Sequence, residues 1–68
     1  MDNIFGQNLK QLRELAKVGQ VQLAKELGVS KGIISMWENG LREPTMSSLI
    51  SLAKYFGVSI DYLVGLEN

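Results

Sequence analysis

A chain of 68 residues has room for one domain, 1–68, and its small core must pack well or be completed by a second copy. It contains no cysteine and no histidine, which removes disulfides, thiolate chemistry and the commonest metal ligand and general base, and its apolar runs are too short to span a bilayer. Seven basic and seven acidic residues cancel, which argues against a bulk electrostatic nucleic-acid binder but leaves room for a local basic rim with specific contacts.

The opening MDNIFGQ has an early acid and lacks both the basic start and the apolar stretch of a signal peptide, so a cytoplasmic protein is expected. Asp2 or Asn3 can cap a first helix that runs to about Ala16. Ile4 or Phe5, Leu9, Leu12 and Ala16 fall at helical spacing and form its expected buried stripe. Gly6 weakens this helix but permits close backbone packing, and Leu15 falls off the stripe. Lys17-Val18-Gly19 is a connector, and its glycine is an acceptable cap for the helix that follows.

In the stretch 20–39, QVQLAKELGVSKGIISMWEN, residues Val21, Leu23, Ala24, Leu27, Val29, Ile34 and Trp37 can turn inward together. Gly28 stands where the backbone needs a positive φ, and Ser30 follows as a cap for the next helix. Ala24 is small where two helices would cross most closely. These features describe a helix-turn-helix whose second helix, about 31–39, turns its outer face toward a DNA major groove. Gly40 supplies the stop signal. Leu41-Arg42-Glu43-Pro44 reads as a loop, because Pro44 disfavours helical geometry at Glu43. Thr45 then caps a fourth helix with an apolar face of Met46, Leu49, Ile50, Ala53 and Phe56, widened by Leu52. Gly57 ends it, and Ser59 caps a short last helix through Leu63 or Val64, with Ile60 and Leu63 closing the core. No strand pattern occurs, so the expected fold is all-α, a compact bundle of about five short helices.

The segments N-L-K-Q-L-R, Q-V-Q-L-A-K-E-L-G-V-S, I-S-M-W-E-N-G-L-R-E-P and L-A-K-Y-F-G-V-S-I-D-Y-L occur in this order and together span about 5–65. They resemble the phage-repressor/Cro-like helix-turn-helix family, which implies a lambda-repressor-like DNA-binding domain. The implied function is sequence-specific transcriptional regulation, usually repression, by a homodimer on a near-palindromic operator of double-stranded DNA. By the same resemblance, Gln20 holds a phosphate, and Lys31, Gly32 and Met36 face base edges. Asn39 and the Gly40 amide clamp the backbone beyond them, and Arg13 pairs with Glu38 near the DNA surface, which would fix the guanidinium and place its charge beside a phosphate. Gly19 departs from the family's frequent serine or threonine, and Lys17 from its glycine or polar turn residue.

The residues themselves refine this. Lys31 and Ser35 are the hydrogen-bonding readers on the second helix, whereas Ile33 and Met36 offer apolar contact to thymine methyls. Gly32 would let the helix sit deep without adding a contact. Few bidentate pairs are available, so discrimination should lean on DNA shape. Ser30, Arg42 and Thr45 complete the expected phosphate set, and Ile60, Tyr62 and Leu66 are candidates for a dimer seam. No carboxylate has a plausible catalytic partner, so no enzyme, cofactor, metal or small-molecule ligand is expected. The competing reading is a helix-turn-helix protein-interaction module, an adaptor or antitoxin-like partner, motivated by the zero net charge and by Ile33 and Met36.

Overall fold

Capping chemistry sets where each helix begins. The computed structural model describes residues 3–67 and contains α1 (Ile4–Leu15), α2 (Gln20–Leu27), α3 (Lys31–Glu38), α4 (Met46–Phe56) and α5 (Ile60–Val64). Asp2, the alternative first cap, lies outside the described residues. Asn3, Ser30, Thr45 and Ser59 each accept, through a side-chain oxygen, from the amide three residues on. Each such cap contributes about 1 kcal/mol. Gly19 caps α2 without a side-chain bond.

All five helices stop in the same manner. A residue with positive φ is followed by an apolar residue whose amide returns to the carbonyl five places back: Val18 to Arg13, Val29 to Ala24, Leu41 to Met36, Val58 to Ala53 and Leu66 to Asp61. Gly28, Gly40, Gly57 and Gly65 supply the turn residue after α2 to α5. After α1 it is Lys17, at φ 58°, the one non-glycine in this conformation among the described residues. A side chain there costs about 1–2 kcal/mol, only partly offset by the freedom glycine loses on folding. Lys17→Gly should therefore stabilise the fold by about 0.5–1 kcal/mol, seen as a rise of several degrees in the thermal midpoint. An unchanged midpoint would show that Lys17 is not strained.

The core takes at least one residue from every helix: Leu9, Leu23, Ala24, Ile34, Trp37, Leu52 and Leu63, with Val18 from the first connector. Phe5 packs edge-to-face on Trp37 at 6.1 Å between ring centroids. α1 lies against α5 and α3, α2 packs on α3, and α4 closes on α5. Gly6 lets α1 come close to α3, since a Cβ there would sit 2.4 Å from the Trp37 carbonyl oxygen. Asn8 Nδ2 donates to the Tyr62 carbonyl at 2.9 Å and ties α5 to α1.

Several expected core positions lie elsewhere. α1 ends at Leu15, and Ala16 is its exposed cap. Phe5 rather than Ile4 enters the core; Ile4 is exposed. Val21 is 55% exposed, because Leu23, Ala24 and Leu27 define the inward face of α2 and Val21 is about 160° from Leu23 around the axis. Met46 and Ile50 are exposed as well. The buried face of α4 centres on Leu49, Leu52, Ala53 and Phe56, which leaves those two on its flank.

Candidate nucleic-acid interface

At about 100° per residue, Ser35, Asn39 and Gly32 stand at the middle of the outward face of α3, with Lys31 and Met36 at its edges. Lys31, Gly32 and Asn39 are exposed, and Ser35 and Met36 are partly so. Ile33, expected to reach thymine methyls, is placed differently. It lies on the flank beside Trp37, half-buried against the core, and shares a small cleft with Val29, Thr45 and Ser48. Its packing role follows from that position, since the inward face of α3 centres between Ile33, Ile34 and Trp37.

The other flank carries Glu38, the single carboxylate of α3, and it is turned inward. Arg13 donates to it twice, from Nε to Oε2 at 2.7 Å and from Nη2 to Oε1 at 3.0 Å. The two side chains are only 13% and 5% exposed. The remaining Arg13 contact runs from Nη1 to the Val18 carbonyl at 3.1 Å. The Glu38 hydrogen bond and charge hold the guanidinium above the ordinary arginine pKa against partial burial. Arg13 thus pairs with Glu38 as the resemblance implied, and these three bonds leave two of its five N–H groups for another acceptor. Gln20 Nε2 donates to Glu38 Oε1 at 3.1 Å, which joins the start of α2 to the end of α3. One amide hydrogen of Gln20 remains for another acceptor.

Two helix starts therefore flank the outward face. The start of α2 lies on the Glu38 side, and its Gln20, Val21 and Gln22 amides meet no acceptor among the described residues. The start of α4 lies on the Ile33 side; Thr45 satisfies the Ser48 amide and leaves those of Met46 and Ser47 open. Open amides and the positive end of the helix dipole favour an anion. Ser30 keeps its oxygen on the Ile33 amide at 3.2 Å, so the Lys31 and Gly32 amides are the open ones at the start of α3.

Two expected donors are already engaged. Asn39 Nδ2 points back to the Ser35 carbonyl at 2.9 Å and to Ser35 Oγ at 3.3 Å. The Gly40 amide donates to the Trp37 carbonyl at 3.2 Å as part of the turn that ends α3. Arg42 is exposed in the loop before α4, beside Glu43. Of the candidate seam residues, Ile60 and Tyr62 are half-buried and Leu66 is 79% exposed.

The open amides at the start of α2 accord with the expectation for Gln20 and with a Gly19 cap that has no side chain. One feature of this surface lay outside the sequence reading. Asn3, read only as a cap, also donates from Nδ2 to the Glu38 carbonyl at 2.8 Å.

Against known proteins, the Helix-turn-helix family model matches residues 9–63. The HTH-type transcriptional activator BcrR of Enterococcus faecalis is 44% identical over 64 residues, covering 94% of this chain and 31% of BcrR. The uncharacterized HTH-type transcriptional regulator MJ0272 of Methanocaldococcus jannaschii is 42% identical, covering 88% of this chain and 91% of that protein. Among solved structures, the P22 c2 repressor in complex with synthetic operator 9T superposes with a TM-score of 0.88 at 34% identity, covering 94% of this chain and 97% of that one. The chain spans 31%, 58% and 56% of the length of three curated relatives it matches.

Proposed function

The chain belongs to the helix-turn-helix family, and from that premise we propose that it is a sequence-specific DNA-binding transcriptional regulator of the repressor type. It acts in the cytoplasm, by binding rather than catalysis. The observation that carries this reading is the outward face of α3, which bears Lys31 and no outward carboxylate and is flanked by the open amides of α2 and α4. A helix set into the major groove would bring Lys31, Gly32, Ser35 and Met36 to base edges, while the two helix starts meet phosphates on either side. Gln20 adds its remaining amide hydrogen, and Arg42 adds charge from the loop.

The regulator works as a homodimer on two half-sites about 34–36 Å apart. A face for the second copy is a groove of about 450 Å³ lined by Ile4, Phe5, Pro44, Leu49 and Val64, with Arg42 and Glu43 at its rim. A two-fold axis there would bring Arg42 of one copy near Glu43 of the other, a self-complementary arrangement. Leu66 follows Gly65, which abuts Ile4, and would extend this seam; Ile60 and Tyr62 are half-buried and contribute less.

The test is selection of bound sites from a random duplex library, followed by gel shifts across a salt series. Two chains per selected duplex are expected. Lys31→Ala should lower affinity for the selected site by about 1–3 kcal/mol and affinity for random duplex much less. Gln20→Ala should weaken both alike. No retardation of any duplex at low salt would overturn the reading and favour the protein-interaction role, for which the exposed Val21, Leu41 and Met46 offer apolar surface.

A further inference from the structure

We propose that Asn3 is a specificity-positioning residue, whose side chain seats the C-terminal half of α3 and thereby governs the base preference read around Met36. The proposal rests on the DNA-binding reading above. Of the four side-chain caps, three are hydroxyls whose bonds reach no further than eight residues along the chain. Asn3 uses both ends of its amide. Oδ1 accepts from the Gly6 amide at 3.1 Å, and Nδ2 donates across the molecule to the Glu38 carbonyl at 2.8 Å. That carbonyl belongs to the last turn of α3, where no intrahelical donor is available.

The slot for this amide is built by two glycines. A Cβ at Gly6 would lie 2.5 Å from both Asn3 amide atoms, and one at Gly40 would lie 3.0–3.2 Å from the Asn3 side chain. Asn3 is held between the first turn of α1 and the end of α3. Glu38 is consequently gripped twice: Asn3 holds its backbone, and Arg13 and Gln20 hold its side chain. α1 acts as a strut that meets the end of α3 through both its first and its last turn. Releasing the backbone grip frees the end that carries Met36 and leaves the end that carries Lys31, capped by Ser30, in place.

The donor and the acceptor can be separated. Asn3→Asp and Asn3→Ser keep an oxygen for the Gly6 amide and lose the donor to Glu38, whereas Asn3→Ala loses both. Measured well below the unfolding midpoints, all three variants should show the same altered base preference, and Asn3→Ala should show the largest fall in thermal midpoint. Site selection with Asn3→Asp should lose preference, by about fivefold to tenfold, at the base pairs that Met36→Ala also affects. The base pairs affected by Lys31→Ala should keep theirs. A purely structural role predicts an unchanged profile with affinity lowered on all duplexes equally, and that result would overturn the proposal.

A second measurement needs no DNA. Amide hydrogen exchange at Leu41, whose N–H returns to the Met36 carbonyl at 2.9 Å, should quicken in Asn3→Asp, while that at Val29 should not. Unchanged exchange at Leu41 would refute the tie itself. Failure of the unaltered protein to select any sequence would instead sink the DNA-binding reading on which the proposal stands.

Discussion

Gly6→Ala should destabilise the fold by about 2 kcal/mol, although the same change inside an unobstructed helix stabilises by about 1 kcal/mol. Two effects oppose each other at this position. Alanine removes the conformational freedom that glycine loses on folding. Its methyl, however, would stand 2.4 Å from the Trp37 carbonyl oxygen, a backbone atom at the end of α3. It would also stand 2.5 Å from both amide atoms of Asn3. Asn3 can rotate away only by abandoning its cap on α1 and its bond to Glu38, and Trp37 can retreat only by moving a buried indole. Overpacking of this kind costs about 1–3 kcal/mol, and losing the cap adds about 1 kcal/mol, so the steric side wins.

Gly32→Ala provides the control. Its Cβ would meet only Ser30 Oγ, at 3.7 Å, so the helix gain stands unopposed and the midpoint should rise. The same methyl projects from the outward face of α3, so affinity for selected DNA should fall while stability climbs. A higher midpoint for Gly6→Ala would show that α1 and α3 are free to separate.

Turn and cap positions were legible because their chemistry spans only a few neighbouring residues. Gly28-Val29-Ser30 and Gly57-Val58-Ser59 each combine a left-handed stop, an apolar plug and a hydroxyl cap, and both adopt the predicted geometry. The third copy of this signal was hidden. Val18 occupies the place of Val29 and Val58 and is buried like a core residue, but Lys17 stands where the other turns have glycine. Helical spacing, for its part, identifies an apolar stripe without fixing its centre. What stands opposite decides that, which is why Val21, Met46 and Ile50 lie outside the core and Leu52 lies at its middle. On the candidate interface, Lys31, Gly32 and Met36 fall on the outward face as the family resemblance implied. The second bond of Asn3 could not be read in this way, since its acceptor is 35 residues distant in sequence.

Glu38→Ala is expected to have the largest effect of any single change at the candidate interface, about 3 kcal/mol of stability together with weaker binding to every duplex. Removing one partner of a fully buried ion pair leaves the other charge unpaired, which costs about 3–5 kcal/mol; Arg13 and Glu38 are partly buried, which places this case at or below the lower end. For a domain of this size, with about 3–10 kcal/mol in all, that threatens folding at ambient temperature. Alkaline pH should not imitate the substitution. Arg13 has a raised pKa, so its contribution is complete below the ordinary arginine range and is lost only as pH climbs beyond it.

Whether the pair serves the fold or the interface can be separated by replacing both partners. Arg13→Met with Glu38→Met substitutes apolar contact for the pair and should recover most of the stability. It leaves Gln20 Nε2 without its acceptor, so the start of α2 loses the bond that orients its side chain toward a phosphate. The double variant should therefore melt near the parent and still bind selected and random duplex more weakly by a similar factor. Recovery of full DNA affinity along with stability would reduce the pair to a scaffold element and leave Gln20 to orient itself.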